Sequence, residues 1–106
     1  MLKRCKTLGL ALLLVILGAC ASAPPVQEMS DARQAIAAAR EAGAERFASS
    51  QLDQAEQRLV AAQGFLNRGD TSANWGYARR DAVAAKEIAL EAMLRSREAR
   101  AAADAP

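Results

Sequence analysis

The residue in this sequence with the clearest potential for covalent chemistry is Cys20, which follows small residues at the end of an apolar run. The run, Leu8 to Leu17, is about ten residues long and follows three cations among the first six residues. This order of charged, apolar and small residues is typical of a secretory signal peptide. Because a transmembrane helix needs about 20 apolar residues, the run predicts a cleaved leader and not a permanent span.

The residues around this thiol, Leu17-Gly18-Ala19-Cys20, resemble the lipobox of bacterial lipoproteins. In that family the cysteine receives a diacylglyceryl group through a thioether, a signal peptidase cuts before the cysteine, and the new amine is acylated, commonly with palmitate. The resemblance implies cleavage between Ala19 and Cys20, lipidation of Cys20, and loss of residues 1–19 as a signal peptide. An ordinary signal peptide with a chance cysteine is the alternative interpretation.

The anchor and the residues after it predict where the protein resides. Two or three acyl chains hold a protein stably on a membrane, whereas a single chain is marginal. Residue 21 is alanine and not aspartate, which in Gram-negative lipoproteins permits export to the outer membrane. We therefore expect a lipid-anchored envelope protein and, if the host is Gram-negative, a position in the inner leaflet of the outer membrane, facing the periplasm. Residues 20–25 contain two prolines, and we expect them to form an extended tether that lifts the domain off the lipid.

The rest of the chain contains few of the residue types that perform catalysis or bind metal ions. There is no histidine, and lipidation would use the one cysteine that remains after Cys5 leaves with the signal peptide. This removes imidazole-based triads and most zinc sites. Glu87 and Glu91, four residues apart, are interpreted as part of a solvated helix face rather than a catalytic pair. We predict no enzyme, no cofactor and no metal site, and the near balance of charge after Cys20 argues against nucleic acid as a partner.

The composition after Cys20 predicts an all-α domain. Alanine, the strongest helix former, dominates this part of the chain, and aromatic and β-branched residues are few. The domain is expected over residues 26–100, with helices at about 28–42, 51–67 and 72–100. Residues 101–106 are expected to fray.

Apolar and small residues recur every three or four positions in each predicted helix, which places them on one packing face. The predicted faces are Met29, Ala32, Ile36 and Ala39; Leu52, Ala55, Leu59, Ala62 and Leu66; and Trp75, Ala78, Ala82, Ala85, Ala89, Ala92, Ser96 and Ala99. The short connection Asn67–Asp70 makes the last two helices antiparallel, so the sequence predicts a helical hairpin or three-helix bundle with a long third helix.

Turn and capping residues refine this picture. Gly43 is predicted to end the first helix, Ser50 to cap the second through a capping box, and Gly64 to allow close backbone approach. Gly69 suits a left-handed residue after the second helix, and Asp70 or Thr71 can cap the third.

The run Ala39–Ala44, the leucine and alanine ladder of residues 52–66 and the Gly69-Asp70 turn together resemble the domain of unknown function 4398. That family occurs in short alanine-rich envelope lipoproteins, and the resemblance covers about residues 26–95. It implies a helical envelope protein and brings no catalytic residues. Residues 75–77, Trp-Gly-Tyr, depart from the acidic or small polar residues that usually follow Gly-Asp in the family.

Four residues are predicted to contact other molecules: Trp75, Tyr77, Arg79 and Arg80. Large aromatic residues anchor interfaces, and adjacent arginines suit the anionic groups of lipid or peptidoglycan. The alternatives are that Trp75 closes the open end of the bundle and that both arginines are ordinary surface residues.

The sequence thus predicts a lipid-anchored envelope interaction protein, with an envelope protein or a second copy as its partner. Val83, Leu90, Met93 and Leu94 lie off the alanine face and could meet the first helix or that partner. The alternative is a self-associating spacer resembling the major murein lipoprotein. That lipoprotein ends in a lysine joined to peptidoglycan, whereas this chain ends Ala105-Pro106, so covalent attachment is not expected.

Overall fold

The computed structural model describes residues 23–106, and its secondary structure in that range is four helices without a strand. They are α1 (Val26–Glu41), α2 (Ala44–Phe47), α3 (Ser49–Asn67) and α4 (Ser72–Asp104). The all-α prediction and the long last helix are confirmed. The signal peptide, the lipobox Leu17–Cys20 and the cleavage site lie outside the described residues.

The polar contacts between helices define their directions. Arg33 of α1 donates to Gln63 of α3 over 3.3 Å, and Arg40 pairs with Glu56, so seven residues forward in α1 correspond to seven residues back in α3. These two helices are antiparallel. Arg79, near the start of α4, pairs with Glu28 near the start of α1, and Ala39, near the end of α1, shares a core cluster with Ala89 and Ala92 further along α4. The helix α4 therefore runs in the same direction as α1.

The long helix α4 packs along both α1 and α3 and makes the bundle three helices wide. We call the end where α1 begins and where residues 68–71 join α3 to α4 the N-terminal end. The far end is the opposite one, where α2 links α1 to α3. At 1.5 Å per residue, the 16 residues of α1 separate the two ends by about 24 Å.

The core consists mainly of alanines with no exposed surface. In α4 these recur every three or four residues and lie on one face: Ala78, Ala82, Ala85, Ala89 and Ala92. Because alanine projects little beyond the helix backbone, both neighbouring helices can pack close to α4. Ser96 is equally buried, and its hydroxyl donates to the Ala92 carbonyl over 2.7 Å, so this buried hydroxyl has a hydrogen-bond partner. The predicted face of the long helix is confirmed from Ala78 to Ser96, whereas Trp75 and Ala99 are half-buried.

Larger side chains fill the space that the alanines leave. Met29, Ile36 and Leu52 are almost completely buried, as predicted. Leu59 and Leu66 are half-buried and pack against the same core.

The link between α1 and α3 differs from its predicted form. Residues 44–47 form the helical turn α2, and only Ala48, with φ −148°, separates α2 from α3. The amide of Leu52 donates to the Ala48 carbonyl over 3.0 Å, so the backbone itself begins α3 and Ala48 is its N-cap. The predicted cap at Ser50 is therefore wrong. Its hydroxyl accepts instead from the Gln54 side chain, one turn on, over 3.5 Å.

Within residues 23–106, two glycines have positive φ, and both lie in turns. Gly43 (φ 97°) follows α1, and Gly69 (φ 143°) follows α3, where sequence predicted a left-handed residue. The Thr71 hydroxyl accepts from the Asn74 amide over 3.2 Å, which confirms Thr71 as the cap of α4. A methyl group on Gly64 would meet no atom within 4 Å, so the prediction of close backbone approach at Gly64 is wrong.

The last helix continues further than predicted. It reaches Asp104, and the residues from 101 onward are all exposed. The run of alanines at positions 101–103 has high helix propensity, which lets the helix continue without tertiary contacts. The predicted end of this helix, at about residue 100, is therefore four residues too early.

Candidate functional site

Arg79 joins the start of the described chain to the long helix α4. Its Nε donates to Glu28 Oε1 over 3.2 Å, and its Nη2 donates to the Ala23 carbonyl over 2.5 Å. Both side chains of the ion pair are about one-quarter to one-third exposed, with values of 27% for Arg79 and 31% for Glu28. The guanidinium that sequence predicted to contact an external anion is thus engaged by the chain itself.

The prolines of the tether form a docked turn. Pro25 is buried, and the Val26 amide donates to the Pro24 carbonyl over 2.9 Å. With φ −81° and ψ 53°, Pro25 has the geometry of an inverse γ-turn, whereas a polyproline helix needs ψ near 145°. The Pro25 carbonyl then accepts from Met29 and begins α1. The prediction of an extended tether is therefore wrong at Pro25.

Four side chains from α3, its C-cap residue and α4 form a stack at the N-terminal end of the bundle. The rings of Phe65 and Tyr77 lie 5.1 Å apart between centroids, inclined by 32°. The Arg68 guanidinium lies over the Phe65 ring at 4.9 Å, and the Arg80 guanidinium lies over the Tyr77 ring at 5.3 Å. Each ring of the aromatic pair therefore has a guanidinium over it, a geometry that favours the cations electrostatically. We call these four residues the arginine–aromatic stack.

Asp81 holds one arginine of this stack in place. Its side chain is 3% exposed, and Oδ1 lies 3.2 Å from Arg58 Nη1 and 3.4 Å from Arg80 Nη2. A buried carboxylate needs such partners, because an unpaired charge in the core is costly. Sequence reasoning missed Asp81. Its position, three residues after Ala78 and four before Ala85, was a signal that it borders the buried face of α4.

The remaining predicted contact residues lie at the same end of the molecule. Tyr77 is 48% exposed and Trp75 is half-buried, both within the first two turns of α4. Val26, at the start of α1, is 74% exposed at this end. The structure therefore brings Trp75, Tyr77 and Arg80 to one end of the bundle, with Arg79 turned toward the tether.

In residues 23–106, no group of three or more His, Cys, Asp or Glu residues is placed to hold a metal ion. None of the described helices combines the length and apolar character that crossing a membrane requires. Comparison with known proteins found no family model that matches the chain, no similar curated protein and no similar solved structure.

Proposed function

We propose that this chain is a lipid-anchored protein of the bacterial cell envelope, which holds a helical interaction module at the membrane surface. The observation that carries the proposal is the order of features along the chain. A basic and apolar leader ends in Leu17–Cys20, and a helical bundle starts at Val26. In a Gram-negative host, Ala21 directs the protein to the inner leaflet of the outer membrane.

The described helices are better suited to binding another protein than to catalysis. Their core consists mainly of alanines that recur every three or four residues, and the polar contacts of the bundle join its helices to each other. The alanine ladder and the Gly69-Asp70 turn also support membership of the envelope family of domain of unknown function 4398. We propose that binding to an envelope protein is the activity of the bundle, without a catalytic step.

The two cysteines of the chain provide a matched test of the anchor. Cys20→Ala should abolish the incorporation of labelled palmitate and leave an uncleaved precursor, because the acylated thiol is lost. Cys5→Ala removes the other thiol, upstream in the leader, and should leave labelling and cleavage unchanged. Palmitate on the Cys20→Ala protein would contradict the proposed anchor, as would normal cleavage of that variant.

A self-associating spacer is the second candidate, and one observation favours it. Val83, Leu90 and Leu94 are exposed by 36%, 38% and 54% and follow one flank of α4. Pairing of two copies along this flank would remove apolar surface from water. In sedimentation, the chain from Ala21 onward should then form dimers that Leu94→Glu disrupts. A strict monomer at high concentration would eliminate this candidate.

A further inference from the structure

We propose that the N-terminal end of the bundle is seated in the phospholipid headgroup layer of the membrane that holds the anchor. The contacting surface consists of the arginine–aromatic stack and Trp75, and we call it the headgroup surface. The proposal rests on the proposed lipidation of Cys20, and it adds which part of the domain meets the membrane and which lipid groups it contacts.

The first argument is the short distance between the anchor and the folded domain. Ala23 is fixed to α4 by Arg79, and only Ala21 and Ser22 separate it from Cys20. Consecutive Cα atoms are 3.8 Å apart, so this segment spans at most about 11 Å. The level of Arg79 in the bundle therefore lies within about 11 Å of the lipidated residue.

The second argument is how far the bundle extends beyond that level. The helix α4 begins at Ser72, seven residues before Arg79, and this part of the helix covers about 10 Å toward the N-terminal end. The connection from α3, residues 68–71, lies at the same end. Because the tether spans about the same distance as this projection, an N-terminal end that is turned toward the membrane reaches the headgroup layer. Each headgroup layer is about 5–8 Å thick, which corresponds to about one to one and a half turns of α4.

The third argument is the chemistry of the surface. Arginine binds phosphate through its planar fork, and tyrosine and tryptophan favour the membrane interface because they combine apolar rings with a polar group. The charged residues near this end are Arg58, Arg68, Arg79 and Arg80 against Glu28, Asp31, Asp70 and Asp81. Since Asp81 is buried and Glu28 is paired with Arg79, the exposed charge of the stack is cationic.

The far end of the bundle offers a matched control for this chemistry. Arg46 lies over the Phe47 ring at 4.9 Å, the same separation as between Arg68 and Phe65. This pair belongs to α2 and lies beyond the end of α1. If any arginine–aromatic pair bound phospholipid headgroups, both ends of the bundle would contact the membrane. If the position of the anchor decides the contact, only the N-terminal end contacts it.

The chain contains one tryptophan, Trp75, and it provides a fluorescent reporter within the proposed surface. The protein is extracted from host membranes, its mass is measured to count acyl chains, and it is reconstituted in vesicles of phosphatidylcholine and phosphatidylglycerol in a two-to-one ratio. Phospholipids with a spin label on the headgroup should quench Trp75 strongly. Labels deep in the acyl chains should quench it weakly.

Variants then identify the residues responsible. Arg68→Glu combined with Arg80→Glu should lower headgroup quenching about threefold, because both charges now repel the phosphates. Arg46→Glu should leave it unchanged. A variant that combines Trp75→Phe with Phe47→Trp moves the fluorescent reporter to the far end of the bundle. Its quenching by headgroup labels should fall to background. Circular dichroism checks that each variant retains its helices.

The outcomes separate this proposal from the proposed function. If the mass shows acyl chains but Trp75 is not quenched, or the Phe47→Trp reporter is quenched equally, the headgroup surface is wrong and the anchor stands. If the mass shows no acyl chain, the proposed function fails, and the same chain is mixed with the same vesicles. Quenching that the double arginine reversal removes then supports the surface, and an absence of quenching overturns it.

Discussion

Two glycines of this chain should respond in opposite ways to the same substitution, Gly→Ala. Gly43 has φ 97°, a conformation that costs an L-residue about 1–2 kcal/mol. Gly64 lies inside α3, and a methyl group there meets no atom within 4 Å. Alanine at Gly64 should therefore stabilise the bundle by about 0.5–1 kcal/mol, since glycine is a poor helix former.

The methyl group at Gly43 would also approach two side chains. It would lie 2.8 Å from Arg100 Nη2 and 3.2 Å from Phe47 Cδ2. The guanidinium is the end of a flexible side chain and can move, so the backbone conformation should dominate the loss. Gly43→Ala combined with Arg100→Ala should therefore remain as destabilised as Gly43→Ala with Arg100 intact. Gly43→Asn should cost less than Gly43→Ala, because asparagine tolerates left-handed φ better.

Thermal and urea unfolding of the chain from Ala21 onward, followed by circular dichroism, measures both effects. The two alanine variants should differ in stability by about 2 kcal/mol, on the order of 10 °C in Tm for a domain of this size. The unchanged chain should lie between them. If Gly43→Ala is as stable as Gly64→Ala, or if Arg100→Ala restores its stability, the assigned role of the left-handed backbone at Gly43 is refuted.

Two further predictions concern the core and its buried charge. Ala82→Leu should destabilise the bundle by about 1–3 kcal/mol, because the larger side chain overpacks the core. Val83→Leu, at the exposed neighbouring position, should have little effect. Equal unfolding midpoints for the two variants would show that the alanine face tolerates larger residues. Arg58→Ala with Arg80→Ala should cost about 1–3 kcal/mol in urea unfolding, because Asp81 is then buried without a partner. Asp81→Ala should cost less, since both arginines are more than half exposed and keep their hydration; a larger loss for Asp81→Ala would contradict this asymmetry.

Local sequence was sufficient for much of the fold. The spacing of Ala78 to Ser96 identified the buried face of α4, because a helix brings every third or fourth residue to the same side. Gly69 and Thr71 identified the turn before α4, since their conformational preferences act within a few residues. The start of α3 was less predictable. Ser50 satisfied the sequence pattern of a cap, but the backbone bond from Leu52 to Ala48 begins the helix before it.

The sequence by itself determined that the chain is helical, which faces are buried and where Cys20, the thiol of the proposed anchor, lies along the chain. Only the tertiary structure decided which distant groups meet. Arg79 reaches Ala23 and Glu28 across more than 50 residues, and Phe65 contacts Tyr77 from another helix. An alanine face does not specify its neighbour, because small identical side chains permit several pairings. Which of the longer side chains at the margins of that face contact each other therefore depends on how the helices are arranged.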